Sequence, residues 1–187
     1  MQYYPVLLDI RKKTCCVIGG GQIAERKARS LLTAGAAVTV ISPAVTAGIA
    51  ALAAQRRLRW KRCGYRRAAL KGCVLAIAAT DRQEVNRAVS QDAGRLGILA
   101  NIVDVPSLSS FIVPAVAHRD GLIIAVSTSG KAPALSRRIK SDIEKQYIGR
   151  YARVMKTVET ARRQLKKNVT SFRQRKKKLV SLVNSLL

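Results

Sequence analysis

The chain has 187 residues and a formal net charge of +25 at pH 7, from 35 Lys+Arg against 10 Asp+Glu. At 48% hydrophobic it is too apolar to be a disordered basic tail, and its length fits one ordinary domain or one domain with a small appendage. Its apolar runs fall short of the roughly 18 residues a membrane span needs, and its start shows neither a basic n-region nor a small-residue cleavage site, so a soluble, cytoplasmic protein is expected.

The first 104 residues alternate between strand-like and helix-like patterns, which predicts an α/β fold with a Rossmann-type parallel sheet. Thr14 to Ile18 is a short apolar run ending in Gly19-Gly20-Gly21, a buried strand running into a turn. Ile23, Ala24, Lys27, Ala28, Leu31 and Leu32 then recur at helical spacing, and Gly35 follows where a helix stop belongs. Further strands are predicted at Ala37–Ile41, Leu58–Arg62, Val74–Ala78 and Ile98–Val103, the fourth apolar throughout as a central parallel strand should be. Thr80 or Asp81 is the expected N-cap of the helix before the fifth strand, with Glu84 at capping-box spacing from Asp81.

The pattern then changes. Phe111–His118 and Leu122–Val126 flank Arg119-Asp120-Gly121, a hairpin signal, and Pro133 suits the first position of a helix after the polar Ser127–Lys131 loop. From Tyr147 to Phe172 apolar residues form a helical stripe on a basic background, followed by the charge run Arg173–Lys178. The expected organisation is a dinucleotide-binding domain over 1–110, a hairpin-plus-helix region over 111–147, and a small basic helical domain over 148–187. Residues 137–187 carry 16 basic and 3 acidic side chains, a surplus that draws in anions of any kind. With aromatics at 4% and none interleaved with the basic runs, a single-strand nucleic-acid platform is not indicated.

The strongest local signal is Gly19-Gly20-Gly21-Gln22-Ile23-Ala24, a G-x-G-x-x-A element between a strand and a helix. Its first glycine permits the tight turn, its second lets backbone amides approach a pyrophosphate, and Ala24 keeps the helix close to the sheet. The following helix N-terminus adds free N–H groups for phosphate. Gly19, Gly21, Gln22 and Ile23 are therefore assigned to cofactor binding, with Ser42, Pro43 and Ala44 on the ribose side and Thr80 and Asp81 beyond the fourth strand. The second strand ends in Ser42-Pro43 rather than in the usual acid, and a serine discriminates less against a 2′-phosphate; NAD is the expected cofactor.

At the carboxyl end of the fifth strand, Asn101-Ile-Val-Asp104 sits where open α/β sheets bind ligands. Asp104 can be a proton acceptor there, or the cap of the turn before Pro106. His118, the only histidine, reads as a hairpin-tip surface residue. The four cysteines form no CxxC pair: Cys15, Cys16 and Cys73 read as small core residues, Cys63 has no base-like partner, and neither a disulfide framework nor a zinc finger is expected. The Ser127-Thr128-Ser129 loop lacks triad companions, so a hydrolase is not supported.

In the order Pro5–Asp9, Val17–Gly21, Arg26-Lys27-Ala28, Ala78–Asp81 with Val85-Asn86, Asn101–Asp104, Phe111–Pro114 and Ser127–Lys131, the chain resembles the precorrin-2 dehydrogenase family, which includes the N-terminal half of sirohaem synthases. The resemblance runs from about Tyr4 to Ile143. It implies a Rossmann domain, a dimerisation region and a helical domain, assembled as a homodimer. It implies NAD-dependent oxidation of precorrin-2, a polycarboxylate tetrapyrrole, to sirohydrochlorin, with ferrous iron inserted in some members. By the same resemblance Asp104 is the general base and, in chelating members, takes part in metal insertion; no other metal ligand is indicated. Asn101, Thr128, Ser129 and Lys131 are the expected substrate contacts. The chain departs from the family at Thr128 and Ala132, where serines are common, and at His118, where an acid is usual; these departures bear on the chelatase activity. The alternative from another class is a Rossmann-fold NAD sensor that binds nucleic acid through its basic tail.

Overall fold

The computed structural model describes residues 2–187, which divide into two compact units, one ending at Val113 and the other beginning at Pro114. The first unit alternates strands and helices: β1 (Thr14–Ile18), α1 (Gln22–Thr33), β2 (Ala37–Ile41), α2 (Ala47–Ala54), β3 (Arg59–Lys61), β4 (Leu75–Ala78), α3 (Gln83–Leu96) and β5 (Leu99–Ile102). All five strands are parallel, in the order β3-β2-β1-β4-β5. The chain leaves β1 towards β2 on one side and β4 lies on the other, which is the switch point of a doubly wound sheet.

The alternation of side chains along each strand sorts the core into two layers. Cys15 and Val17 face one side with Val38, Val40 and Ile77, covered by Ala24 and Ala28 of α1 and Ile49 and Leu52 of α2. Cys16 and Ile18 face the other with Ile41, Ala76, Ala78 and Ile102, covered by Val89 and Ala93 of α3 and by Leu70 from a 3-10 turn at Arg67–Leu70. On this second face Cys16 pairs with Cys73 as a disulfide, Cα atoms 6.5 Å apart, where the sequence suggested separate thiols. Only the fold, bringing residues 57 apart to one face, reveals that pairing. Cys15 on the opposite face stays a free core thiol, pushed up to about 11 by burial.

Among the described residues the outer edge of β5 has no neighbouring strand. Its Ala100 and Ile102 amides instead donate to the Ser110 and Ser109 hydroxyls, each at 2.8 Å, and the Ser110 amide returns a 2.8 Å bond to the Ala100 carbonyl. The start of α3 differs from expectation. Its N-cap is Arg82 without a side-chain cap bond, because Thr80 is held by Asn86: the Thr80 hydroxyl donates to Asn86 Oδ1 (2.8 Å) and Asn86 Nδ2 donates to the Thr80 carbonyl (3.0 Å). Thr80 is thus fixed in the loop before the helix begins.

The second unit is a hairpin, β6 (Ala115–Arg119) and β7 (Leu122–Val126), turned at Asp120-Gly121 with positive φ at both positions, followed by α4 (Pro133–Gln146), α5 (Ile148–Asn168) and α6 (Phe172–Leu186). The segments expected over 111–147 and 148–187 are joined here in one unit: Ala117 of β6 is buried, as are Ile148 and Ala152 of α5, and Lys156 of α5 bonds Asp120 at 3.0 Å. The apolar stripe expected to run through Phe172 is interrupted at Val169–Ser171. Arg175 Nη1 bonds the Val169 and Thr170 carbonyls (2.6 and 2.7 Å), and the Ser171 hydroxyl accepts from the Gln174 amide, so the break is a capped helix start.

Leu70 is fully buried in the second layer from the end of a short 3-10 turn. Leu70→Ala is expected to destabilise the protein by about 2–5 kcal/mol, measured as a lower urea midpoint with unchanged slope.

Candidate dinucleotide-binding cleft

A cleft of ≈650 Å³ opens at the carboxyl ends of β1, β2, β4 and β5. The β1–α1 turn forms its floor. Gly19 has φ +120°, and a Cβ there would overlap the Ala79 carbonyl oxygen. Gly20 comes just as close to the next loop, since its Cβ would overlap the Ala44 carbonyl oxygen. The Gly19 amide donates to Ile41 O (3.0 Å) and the Thr46 amide to Gly20 O (2.9 Å), so the loops after β1 and β2 are fastened backbone to backbone. At Gly21, the N-cap of α1, a Cβ would meet no atom within 4 Å. The close contact at Gly20 is one that the motif does not mark, while Gly21, which the motif leaves bare for a ligand to approach, faces open space.

That geometry fits a pyrophosphate. The first-turn amides of α1 have no acceptors within the helix, and the bare backbone at Gly21 lets an anion reach them. The turn is braced from behind by Glu25, whose carboxylate accepts from the Thr46 hydroxyl (2.5 Å) and from Arg29 (2.7 and 2.9 Å). These bonds, that of Thr46 first, hold the Glu25 carboxyl below the usual range. Gly48 leaves the space that the carboxylate occupies; a Cβ there would push the end of the Glu25 side chain aside.

Gln22 and Ile23 line the cleft, as do Ser42, Pro43 and Ala44 after β2, Thr80 and Asp81 after β4, and Asp104 after β5. Ser42 is buried; its hydroxyl donates to the Ala44 carbonyl (2.6 Å), and its own carbonyl accepts from the Trp60 indole N–H (2.9 Å). Asp104 has φ +60°, a left-handed conformation that aspartate and asparagine tolerate better than most residues. Its negative charge acts on Lys27 of α1, which burial, then the neighbouring Arg26, push below the usual lysine range while Asp104 opposes them.

Other expected residues lie elsewhere. Asn101 is buried, and its Nδ2 donates to the Phe111 carbonyl (3.0 Å), so its amide group ties the end of this unit down and does not line the cleft. Thr128, Ser129 and Lys131 belong to the second unit. The Thr128 hydroxyl accepts from the Ala132 amide (3.0 Å) and from the Ser136 hydroxyl (3.2 Å), tying the loop to the first turns of α4, which has no side-chain cap. Ser129 and Lys131 are exposed beside the start of α4. His118 is exposed on the hairpin. Among the described residues, no group of three His, Cys, Asp or Glu side chains is placed to hold a metal ion.

The sequence reading missed Gly64 and Tyr65, which line the cleft from the segment after β3. Tyr65 donates its hydroxyl to Asp92 Oδ2 (2.9 Å), and burial, then that bond, raise its phenol well above the ordinary value. No motif marks this segment, and a lone tyrosine in a basic stretch gives no signal.

Residues 6–115 match a family model described as "Putative NAD(P)-binding", and residues 119–146 match "Sirohaem biosynthesis protein central". Siroheme synthase 1 of Aeromonas salmonicida is 44% identical over 155 residues, 81% of this chain and 33% of that protein. The siroheme synthase of Methylobacillus flagellatus is 40% identical over 176 residues, 94% of this chain and 38% of that protein. The chain therefore spans a third to two fifths of the length of these relatives. A solved structure of SirC, a precorrin-2 dehydrogenase, superposes with a TM-score of 0.80 at 30% identity, covering 96% of this chain and 89% of that one. None of these relatives is named as a nucleic-acid binder, so the regulatory alternative finds no support.

The glycine turn makes two opposite forecasts. Gly20→Ala is expected to cost about 1–3 kcal/mol through overpacking against Ala44, whereas Gly21→Asp should melt close to wild type yet lose NAD binding, because its carboxylate occupies the approach to the amides. Melting curves paired with calorimetric titration of NAD⁺ distinguish the two.

Proposed function

The chain belongs to the precorrin-2 dehydrogenase family, and on that premise we propose that it oxidises precorrin-2 to sirohydrochlorin with NAD⁺ as acceptor. The observation that carries the reading is the presence, in one cleft, of an anion-ready helix N-terminus and the carboxylate of Asp104 at the end of β5. When bound, the nicotinamide supplies the two-electron acceptor for a hydride. The substrate gives up that hydride and one proton, so the balance is precorrin-2 plus NAD⁺ to sirohydrochlorin, NADH and H⁺. The protein holds the phosphates at the α1 amides, fixes Thr80 through Asn86 at the cleft wall, and takes the proton on Asp104. The basic surplus favours a substrate bearing several carboxylates. The same reading puts the enzyme in the cytoplasm; no helix among the described residues is long and apolar enough to cross a membrane.

The direct test is an anaerobic reaction of freshly made precorrin-2 with NAD⁺, which should give sirohydrochlorin absorbance and one equivalent of NADH. Asp104→Asn keeps size, hydrogen bonding and tolerance of the left-handed backbone, but cannot accept the proton. Turnover is expected to fall ~10²–10⁴-fold with little change in NAD⁺ affinity or melting temperature. Turnover within a few-fold of wild type would reduce Asp104 to a turn residue.

A homodimer is part of the proposal. The outward face of the hairpin exposes Val116 and Ile123, and α4 exposes Leu135, at 38%, 49% and 51%. Light scattering at micromolar concentration should give twice the chain mass of 20.4 kDa. Ile123→Lys should lower it towards one; a monomeric wild type would exclude the dimer.

A further inference from the structure

We infer that Asp92, which lies outside the cleft, is a positioning residue for the dinucleotide: it clamps the segment after β3 to α3 and so sets the wall on which the adenosine half of the ligand rests; this rests on the dinucleotide reading of the same cleft. The segment leaves β3 beside the end of β2, where the Ser42 amide donates to the Lys61 carbonyl (3.2 Å). β3 and β5 are the two edges of the sheet, so this is the end of the cleft opposite Asp104. With the pyrophosphate at the glycine turn and the nicotinamide towards Asp104, the adenosine half falls here. Tyr65 lines the cleft with Ile41, Ala79 and Val85, while also packing on the second core layer. An aromatic wall backed by core suits a purine base, which has a flat π-face.

The backbone does not fasten that wall. Among the described residues neither Gly64 nor Tyr65 makes a backbone–backbone hydrogen bond, and a Cβ at Gly64 would meet no atom within 4 Å. The hold comes from α3. Asp92 Oδ2 accepts the Tyr65 hydroxyl (2.9 Å), while Oδ1 lies 3.9 Å from Arg67 Nε and 4.0 Å from Arg95 Nη1. One carboxylate thus grips the segment on both sides of Arg66, from a side chain only 15% exposed and next to the buried Ala93. An ion pair in such a setting is screened less than one at the surface, and a hydrogen bond to an ionised acceptor is the stronger kind. Burial, then this bond, raise the Tyr65 phenol above its ordinary value, so it stays a donor at neutral pH. Val85 stands two turns before Asp92 on one face of α3 and lines the cleft itself. The clamp therefore ties a loosely held wall to a helix that already forms part of the site.

The test is calorimetric titration of the full chain with NAD⁺ and with ADP, which carries the adenosine half and two phosphates alone, beside kcat and KM for NAD⁺ in the precorrin-2 reaction. Asp92→Ala, checked for folding by circular dichroism, should raise both Kd values and the KM at least about fivefold and leave kcat within about twofold. Asp92→Asn keeps an oxygen that accepts from Tyr65 and should bind both ligands within about twofold of wild type. Tyr65→Phe keeps the ring and removes the tie; it should weaken both ligands about threefold or more, and it reports on the clamp even where Asp92→Ala fails to fold. Gln91→Ala, at an exposed neighbour on α3, should leave every value unchanged. Variants that melt lower yet bind both ligands like wild type overturn the proposal, because the clamp would then serve stability alone. A loss for NAD⁺ without one for ADP overturns it too, because the wall would not lie at the adenosine half. Failure of the wild type to bind either ligand removes the dinucleotide reading, and the role of Asp92 with it.

Discussion

Everything functional in the first unit depends on how closely three loops meet at the end of the sheet. The backbone at Gly19 and Gly20 passes so near the carbonyls of Ala79 and Ala44 that neither position has room for a Cβ. This contact sets the height of α1 over the ends of β1, β2 and β4, and with it the position of the helix amides. The Glu25 carboxylate then locks α2 onto α1 through Thr46, using the space that Gly48 leaves. The anion site is thus made by packing and backbone hydrogen bonds, with α1 presenting its own unpaired amides to the ligand. A preformed site of this kind loses little ordering entropy when it binds.

The sheet order distributes charge as well as shape. Acidic side chains line the cleft after β4 and β5, while cations follow β3, with the neutral glycine turn between them. A dinucleotide lying across the carboxyl ends of the strands meets a different electrostatic environment at each end, and so has a preferred direction. The end that faces Asp104 is the one with a carboxylate within reach of a bound ligand. Lys27, half-buried on α1, feels the negative charge of that aspartate, which opposes the effect of its burial.

Much of this arrangement is readable from residues in local patterns. The five parallel strands follow from short apolar runs, and the position of Asp104 after the fifth strand places it at the ligand-binding edge without further information. What the sequence leaves hidden depends on contacts between distant segments. Nothing near Gly20 indicates that Ala44 presses on it, and nothing near Asn101 says that its amide turns to Phe111 and away from the cleft. Neither Thr80 nor Asp81 caps α3 as expected, since Asn86 reaches back for Thr80, and Tyr65 at the wall is held by Asp92, 27 residues later, which accepts its hydroxyl. The break before α6 was more accessible: Val169 and Thr170 are β-branched and Ser171 is a good cap, but the apolar stripe across them was the stronger pattern.

The serine pair at the edge of β5 has a consequence for how the protein behaves in a crowded solution. An open parallel sheet ends in two strands whose outward amides and carbonyls invite any passing extended chain to add on. On the β5 side the Ser109 and Ser110 hydroxyls already accept those amides, so an incoming strand would have to displace bonds of 2.8 Å before making its own. On the other side β3 is three residues long and flanked by arginines, too short and too charged to template a partner. The sheet is closed to extension at both edges, which guards a basic, apolar-cored chain against growing into β-aggregates through the backbone.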